Sequence, residues 1–224
     1  MHLSERLARE TGRDYALRTI KENIISLELA PGSPVSENEL SAEMGLSRTP
    51  VREALIELAK VKIVEITPQK RSVVAHIDYD LVEESRFMRN VLECAVVELV
   101  CAMASEEDLK KLEDNVRLQK FYLDSGNTEP LMELDNQFHR SLFEIAQKAQ
   151  VYALTENISI HFDRVRRMAL HSVKDLKIVA DHEKILQAIR EKNAEEAVAL
   201  MRTHLSRYKF DQETVREAYP QYFK

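Results

Sequence analysis

The sequence predicts a mainly α-helical protein: an N-terminal winged helix-turn-helix with a small β-hairpin wing, followed by an all-α antiparallel helical bundle. Residues 36–55 read as two short helices joined by a tight turn, and two β-prone runs follow within residues 63–75. From residue 78 onward, apolar residues recur at the three- and four-residue spacing of helices. Only 4 Gly and no Trp in 224 residues also favour long helices with few turns.

A first helix is predicted over residues 13–28, ending before the turn at Pro31-Gly32. Apolar residues recur along one face of this helix at the spacing of an amphipathic helix. That apolar stripe comprises Ala16, Leu17, Ile20, Ile24 and Leu27.

The helix-turn-helix prediction depends on the stretch 36–55. Gly45 ends its first helix, at the position where a left-handed residue is needed. In such a motif the N-terminal residues of the second helix enter the major groove of DNA. Here those residues are Arg48, Thr49 and Arg52. The two arginines are four residues apart, so they project from one face and can reach a guanine edge or phosphates.

A β-hairpin is predicted after the second helix. Ile63–Ile66 and Ser72–Ala75 are β-prone runs on either side of a short connection. Beside a helix-turn-helix, such a hairpin makes a wing, whose basic tip would lie against the DNA backbone or minor groove. The basic residues of this tip are Lys70 and Arg71. We therefore predict a DNA-binding domain over residues 1–77.

The net charge of −6 at first argues against a nucleic-acid partner. Residues 1–77, however, hold 11 Lys and Arg against 11 Asp and Glu, whereas residues 78–224 hold 21 against 27. All the acidity belongs to the C-terminal part, and DNA binding requires only a local basic face. The start of the chain is polar and no apolar run approaches the roughly 20 residues that span a bilayer. We expect a soluble, cytoplasmic protein with no membrane partner.

The segment PGSPVSENELSAEMGLSRTPVREAL, residues 31–55, resembles the N-terminal winged helix of the GntR family of bacterial transcription regulators. It matches the family pattern "PG…L.E..LA..LGVSRTPVREAL" over nearly its whole length. The family usually has glycine where Lys62 and Arg71 stand, so Arg71 would offer a side chain where relatives bring the backbone close to DNA. The DNA contacts predicted from this resemblance are Arg48, Thr49, Arg52, Lys70 and Arg71.

After residue 78 the pattern is helical throughout, which predicts a bundle of about six helices. Ser105-x-x-Asp108 is a capping-box pattern at the start of the second one. In the first bundle helix, apolar residues at helical spacing predict one long amphipathic helix; they are Leu81, Met88, Leu92, Ala95, Leu99 and Ala102. The predicted helices cover residues 81–103, 105–123, 130–149, 151–170, 174–191 and 194–216.

One carboxylate and three imidazoles are predicted to point inward from three bundle helices. Asp135 and His139 lie four residues apart along the edge of one apolar face, and His182 and His204 fall within two others. A single inward histidine is more often a satisfied core residue. Four convergent polar groups are costly to bury unless paired or ligated, and a divalent cation would satisfy them together. The donor set suits Zn²⁺, Ni²⁺, Mn²⁺ or Fe²⁺, with zinc or nickel favoured.

The same four positions resemble the metal site in the C-terminal ligand-binding domain of the FadR subfamily of GntR regulators. The resemblance implies that these residues are metal ligands and that a small carboxylate effector occupies open coordination positions. Arg89 stands where relatives carry an arginine that can pair with such a carboxylate; the alternative is a surface or interhelical ion pair. His161 has two interpretations, a pocket residue or a polar residue on a helix flank. The predicted ligands are Asp135, His139, His182 and His204, in a metal-binding, effector-binding and dimerisation domain over residues 78–224.

Three functions are compatible with these patterns. The favoured one is a DNA-binding transcription regulator, a repressor or an activator, that acts as a homodimer on a palindromic operator and responds to an organic acid. A regulator with a purely structural metal is the second. A metal-dependent enzyme is the third; it is disfavoured because His182-Glu183 is not part of a His-Glu-x-x-His motif, and no Gly-rich phosphate loop is present.

Cys94 and Cys101 are seven residues apart on one predicted helix. At 1.5 Å rise per residue this separation is roughly 10 Å, too far for a mutual disulfide. We interpret them as two small buried hydrophobic residues. A redox switch across a dimer is the alternative.

Overall fold

The computed structural model describes residues 1–67, 72–172 and 177–224, apart from the side chains of residues 208–210. The predicted wing-tip residues Lys70 and Arg71 lie outside these ranges, as do residues 174–176 at the start of the predicted helix 174–191. The described chain divides into two compact units. The first comprises Met1–Val82, Ile160–Arg167 and Tyr219–Lys224, and the second comprises Glu83–Ser159 and Met168–Ala218.

The first unit holds the predicted winged helix-turn-helix. Helix α1 (Gly12–Ile25) packs on helix α3 (Arg48–Lys60) around a core of fully buried aliphatic side chains, which include Ile20, Leu55 and Leu58. Strands β1, β2 and β3 form an antiparallel sheet in the order β1-β3-β2. The elements in chain order are α1 (Gly12–Ile25), β1 (Pro34–Val35), α2 (Glu37–Met44), α3 (Arg48–Lys60), β2 (Val64–Glu65) and β3 (Ser72–Val74).

The turn between α2 and α3 has the predicted geometry. Ser36 caps α2, because its side chain accepts a hydrogen bond from the backbone N–H of Glu39. Gly45 follows the helix with φ +63°, in the left-handed region that favours glycine. The N–H of Leu46 then bonds to the carbonyl of Ser41, which closes the turn and redirects the chain into α3.

The predicted hairpin is present, and the sheet has one more strand than the sequence indicated. Val64 pairs with Val74 in the β2–β3 ladder, as the β-prone runs suggest. Pro34–Val35 adds a third strand against β3; two residues are too few to show a strand periodicity. Lys62 has φ +58°, a conformation that explains why relatives would use glycine at this position.

The last residues of the chain belong to the first unit. Ile77 and Phe223 form an isolated parallel bridge, in which the N–H of Ile77 lies 2.8 Å from the carbonyl of Tyr222. The rings of Tyr79 and Phe223 stack with centroids 5.1 Å apart, and the ammonium of Lys224 lies 3.1 Å from a carboxylate oxygen of Asp78. Residues about 146 positions apart in the sequence thus meet just after the wing.

The second unit is all-helical, which confirms the predicted fold class. Ser105 and Asp108 form the predicted capping box at the start of α5. The final predicted helix, 194–216, is two helices separated at residues 205–207. The helices are α4 (Tyr79–Met103), α5 (Glu106–Asp124), α6 (Leu131–Ile145), α7 (Ala149–Ser172), α8 (Ile178–Arg190), α9 (Ala194–His204) and α10 (Tyr208–Ala218). In the described part of the chain, none of them combines the length and apolarity of a membrane span.

Helix α4 is the predicted long helix, but the predicted apolar stripe is not its most buried side. Three stripe residues are half-buried and three are exposed; they are Leu81, Met88 and Leu92, and Ala95, Leu99 and Ala102. The most buried side combines fully buried valines with the polar residues Ser85, Arg89 and Glu93, all less than one-tenth exposed. On the outward side, Phe87 is 65% exposed and Val91 is 52% exposed. Because several sides of this helix carry apolar residues, hydrophobic periodicity alone cannot say which side faces the bundle.

The two cysteines fit their interpretation as small hydrophobic residues. Cys94 and Cys101 are buried on α4 and form no disulfide. Burial raises the pKa of both thiols, which lowers the population of the reactive thiolate.

Replacing Gly45 with alanine should destabilise the protein by about 1–2 kcal/mol, because an L-residue is strained at positive φ. A Cβ at this position would meet no atom within 4 Å, so the cost reports backbone strain alone. Gly12→Ala is the matched control, since its Cβ would make ordinary contacts at 3.6 Å and its φ is not in the left-handed region. Urea denaturation measures both variants. Equal stability of the two would contradict the assigned turn.

Candidate metal centre

Three helices of the second unit bring together the four predicted ligands. Asp135 and His139 lie on α6, His182 on α8 and His204 at the end of α9. All four are buried, and one ligand atom from each lies within 4.8 Å of the others. The sequence spacing therefore identified a real cluster, since helical periodicity placed each of these side chains on the inward face of its helix.

The Nε2 atoms of the three histidines face one another. His204 Nε2 lies 3.2 Å from His139 Nε2 and 3.3 Å from His182 Nε2. The Asp135 carboxylate is beside them, with one oxygen 3.8 Å from His139 Nε2 and the other 3.5 Å from His182 Nε2. Three nitrogen donors and one carboxylate thus converge on a common point.

The other ring nitrogen of each histidine faces an acceptor. His139 Nδ1 lies 2.5 Å from a carboxylate oxygen of Glu93. His182 Nδ1 lies 2.8 Å from the side-chain carbonyl oxygen of Gln119, and His204 Nδ1 lies 3.5 Å from Asp181. Such outer acceptors fix the ring orientation and tautomer of metal-binding histidines. None of these three partners was predicted from the sequence.

Gln119 is oriented by its own hydrogen bonds. Its side-chain N–H₂ donates to Asn115 Oδ1 at 2.6 Å and lies 3.4 Å from the carbonyl of Leu134. Because the amide nitrogen is engaged in this way, the amide oxygen faces His182. That oxygen can only accept, so Nδ1 of His182 carries the proton and Nε2 presents a lone pair to the cluster.

Two ion pairs hold the outer carboxylates. Arg89 Nε donates to Glu93 at 2.7 Å, and Arg207 makes two hydrogen bonds to Asp181. Burial would raise the pKa of Glu93, but the charge of Arg89 outweighs it and holds the pKa below its usual range. For Asp181, burial likewise raises the pKa, yet the hydrogen bond from Arg207 prevails and the pKa falls to about 2. Both acceptors are therefore carboxylates at neutral pH.

This arrangement fits a divalent metal ion. Burial lowers the pKa of His204 to about 4, so its ring is neutral near pH 7. With protons on the Nδ1 atoms, the lone pair of His204 Nε2 faces those of His139 and His182 at 3.2 and 3.3 Å in a buried space, which is repulsive without a cation among them. Nitrogen and oxygen donors of this kind suit Zn²⁺, Ni²⁺, Mn²⁺ or Fe²⁺. The described residues thus contain a cluster that could bind one of these ions.

Arg89 is buried on α4, one helical turn before Glu93. Its ion pair with Glu93 links it to the cluster through His139. This is an ion pair within one helix, whereas the alternative considered from sequence was a surface or interhelical pair. A contact between Arg89 and a carboxylate effector stays a prediction.

The predicted DNA-reading residues lie at the start of α3. Arg48, Thr49 and Arg52 are exposed there, with the side chains of the two arginines 68% and 70% exposed. Glu37 of α2 lies 3.5 Å from Arg48 and 3.9 Å from Arg52. Exposed pairs of this kind contribute little to stability, so DNA phosphates can replace Glu37 at small cost.

Comparison with known families finds two matches. The model described as "Bacterial regulatory proteins, gntR family" matches residues 14–74, and the model described as "FCD domain" matches residues 84–207. The first match covers the helix-turn-helix and wing, and the second covers every residue of the candidate metal cluster.

Similar proteins support both matches. The chain is 36% identical over 217 residues to an uncharacterized HTH-type transcriptional regulator in an unstable DNA locus of Streptomyces ambofaciens, covering 96% of this chain and 90% of the relative. It is 32% identical over 189 residues to the HTH-type transcriptional repressor RspR of Escherichia coli K12, covering 84% and 83%. The structure resembles E. coli McbR/YncC with a TM-score of 0.79 at 17% identity, covering 93% of this chain and 99% of that one.

Gln119→Leu should lower zinc affinity by about 10–100-fold, because it removes the acceptor that orients His182. Gln137→Leu is the matched control, since Gln137 is exposed on α6 and bonds to Glu133. Competition with a chromophoric chelator measures the affinity of each variant. Equal zinc affinities of the two variants would show that the acceptor at Gln119 does not support the cluster.

Proposed function

Because this chain belongs to the gntR family of bacterial regulatory proteins and carries an FCD domain, we propose that a small organic acid bound at a metal centre modulates its affinity for operator DNA. Family membership gives the general function: the protein is a DNA-binding transcription regulator. Its relatives are regulators, and none of the matches reported above is an enzyme. Since such a protein acts on bacterial operators, its proposed site of action is the cytoplasm.

The metal ligands in this proposal are Asp135, His139, His182 and His204. The observation that carries it is the convergence of three histidine Nε2 atoms beside a buried carboxylate. A bound divalent ion would supply positive charge and an open coordination position that a carboxylate oxygen could occupy. The outer partners orient the three rings toward the ion, as described above.

Arg89 is the proposed partner for a carboxylate of the acid. It is a cation less than one-tenth exposed, and its known partner Glu93 also contacts a proposed metal ligand. A guanidinium is a planar fork of N–H donors that matches the geometry of a carboxylate. An acid that reaches both the metal and Arg89 would perturb α4 and α6 together. It can change DNA affinity only if it binds the arrangement of the protein that favours DNA and the arrangement that does not with different affinities.

A thermal-shift screen of small organic acids tests this proposal. An acid that binds the folded, metal-loaded protein should raise its midpoint by mass action, with no shift after chelation. The matched control is His182→Ala, which should give no acid-dependent shift with or without added metal. If the acids shift neither form of the wild type while metal removal lowers the midpoint, the metal is structural.

A purely structural metal is the second candidate function of this centre. Its four residues are between 0% and 9% exposed, and they link α6, α8 and α9 across the second unit. A closed, buried site with four protein ligands is typical of structural metal centres. The chain would then still be a DNA-binding regulator, but its effector would bind elsewhere.

We propose that the regulator is a homodimer that uses the exposed apolar face of α4. A repressor on a palindromic operator places two recognition helices on two half-sites, so its two-fold symmetry matches that of the DNA. Exposed apolar side chains recur along α4 at positions 87, 91, 99 and 103, and the small Ala95 lies between them. A contiguous apolar face on one chain typically marks an interaction surface.

Val91→Glu should convert the dimer to a monomer, since two buried carboxylates would face each other near the two-fold axis. Leu118→Glu is the control, because Leu118 is an exposed apolar residue on α5. Light scattering coupled to size exclusion gives the mass of each. A dimeric Val91→Glu, or a monomeric wild type, would contradict the assignment.

DNA contacts are proposed for Arg48, Thr49 and Arg52 on α3, with Lys70 and Arg71 on the wing. The three α3 residues are exposed at the N-terminal end of the second helix of the motif. That end of the helix enters the major groove in helix-turn-helix proteins. DNA contact by the two wing residues, Lys70 and Arg71, stays a prediction from the sequence.

Arg48→Ala should weaken binding to the preferred operator by about 1–3 kcal/mol and relax specificity at one base, because a bidentate arginine–guanine contact is lost. Lys60→Ala is the control, since Lys60 lies at the far end of α3 and pairs with Glu57. Selection from a randomised duplex library, followed by affinity measurement, reports both effects. An unchanged base preference in Arg48→Ala would rule out this base contact.

A further inference from the structure

Two buried side chains of α7 hold backbone carbonyls beside the recognition helix α3 and the wing strand β3. His161 Nε2 lies 2.7 Å from the carbonyl oxygen of Val61, and Arg164 Nη1 lies 2.8 Å from that of Ala75. Arg164 Nη2 lies 3.3 Å from His161 Nδ1, which joins the two contacts. His161 is 3% exposed and Arg164 is 0% exposed. All four residues belong to the first unit.

The hydrogen-bond directions are fixed by chemistry. The Val61 carbonyl can only accept, so His161 Nε2 carries a proton and donates it. In the neutral ring Nδ1 then accepts, which suits the guanidinium N–H of Arg164. Burial lowers the pKa of His161 to about 4, so the ring is neutral at pH 7. Burial also lowers the pKa of Arg164 to about 10, which leaves the guanidinium charged at that pH.

The two carbonyls lie where the recognition helix gives way to the wing. Val61 is the residue after the last residue of α3, and Ala75 is the residue after the last residue of β3. The N–H of Ala75 bonds to the carbonyl of Ile63 at 2.9 Å, so these segments are already adjacent. Carbonyls at the end of a helix lack partners within that helix, and the N–H of His161 supplies one for Val61.

We propose that His161 and Arg164 are positioning residues for DNA recognition, which fix the end of α3 relative to the base of the wing without touching DNA. The inference rests on the proposed DNA-reading role of α3. Both residues lie within the FCD match and outside the gntR match, so the DNA-reading unit depends on a helix that its own family model does not include. That helix, α7, continues at both ends into residues of the second unit.

Ile160, next to His161, supports this assignment. It is fully buried in the same hydrophobic cluster as Leu55 and Leu58 of α3. One turn of α7 therefore gives the recognition helix both apolar packing and a polar anchor. A displacement or rotation of this turn would carry the end of α3 and the base of the wing with it.

The test compares affinities for two duplexes: one selected by the wild-type protein from a randomised library, and a scrambled duplex of the same composition. Arg164→Met and His161→Leu remove the two anchors at similar volume. Arg164→Lys and His161→Gln each keep a donor. Arg140→Met is the control, since Arg140 forms an exposed ion pair with Glu156 in the second unit. Circular dichroism gives the folded fraction of each full-length variant.

Arg164→Met should lose about tenfold or more in affinity for the selected duplex, an effect comparable to one mismatched base pair. Affinity for the scrambled duplex should change less than about twofold, because a fully buried side chain makes no phosphate contact. His161→Gln should recover most of what His161→Leu loses, because the amide N–H₂ can donate to Val61. Arg140→Met should bind both duplexes as the wild type does.

Two results would overturn the positioning role. One is a proportional loss on both duplexes, which reports only a loss of folded protein. The other is unchanged selectivity in folded variants. If Arg164→Met does not fold, the His161→Leu and His161→Gln pair decides by the same criteria. If α3 does not read DNA bases, Arg48→Ala will show an unchanged base preference, which is a separate result. A wild-type protein that selects no DNA sequence would overturn both the DNA-reading role of α3 and the positioning role of His161 and Arg164.

Discussion

Three histidine Nε2 atoms and a carboxylate meet in the interior of the second unit, and this convergence constrains the helices around it. An imidazole presents an Nε2 lone pair to the cluster when its Nδ1 carries the proton, and an acceptor beside Nδ1 favours that tautomer. Glu93, Gln119 and Asp181 lie at those positions. Two of these acceptors are carboxylates and require buried or half-buried cations of their own. The ion pairs with Arg89 and Arg207 satisfy that need.

The same constraint accounts for the polar residues on the buried side of α4. Arg89 and Glu93 lie there among buried apolar residues such as Val97 and Val100, and Glu93 reaches His139 of the cluster. The opposite side, with Phe87 and Val91, is left exposed on the single chain. In the proposed homodimer, a second copy covers that surface.

Local patterns were sufficient to predict much of this structure. Gly45, the capping box at Ser105 and the spacing of the four cluster residues depend only on neighbours in the sequence, and each was correctly placed. The acceptor Gln119 was missed because no local pattern distinguishes it from any other helical glutamine. Likewise, the contacts of Arg164 with Ala75 and of Phe223 with Ile77 join residues far apart in the chain. Pairings of this kind depend on tertiary structure, which periodicity cannot supply.

The most direct test is an operator-binding isotherm, by fluorescence anisotropy, on metal-loaded and metal-stripped protein with and without a stabilising organic acid. Binding linkage requires that an acid which changes DNA affinity has its own affinity changed by DNA to the same extent. We predict that the acid shifts the operator Kd of the metal-loaded protein and leaves that of the stripped protein unchanged. Equal shifts in both forms would contradict a sensing role for the metal centre.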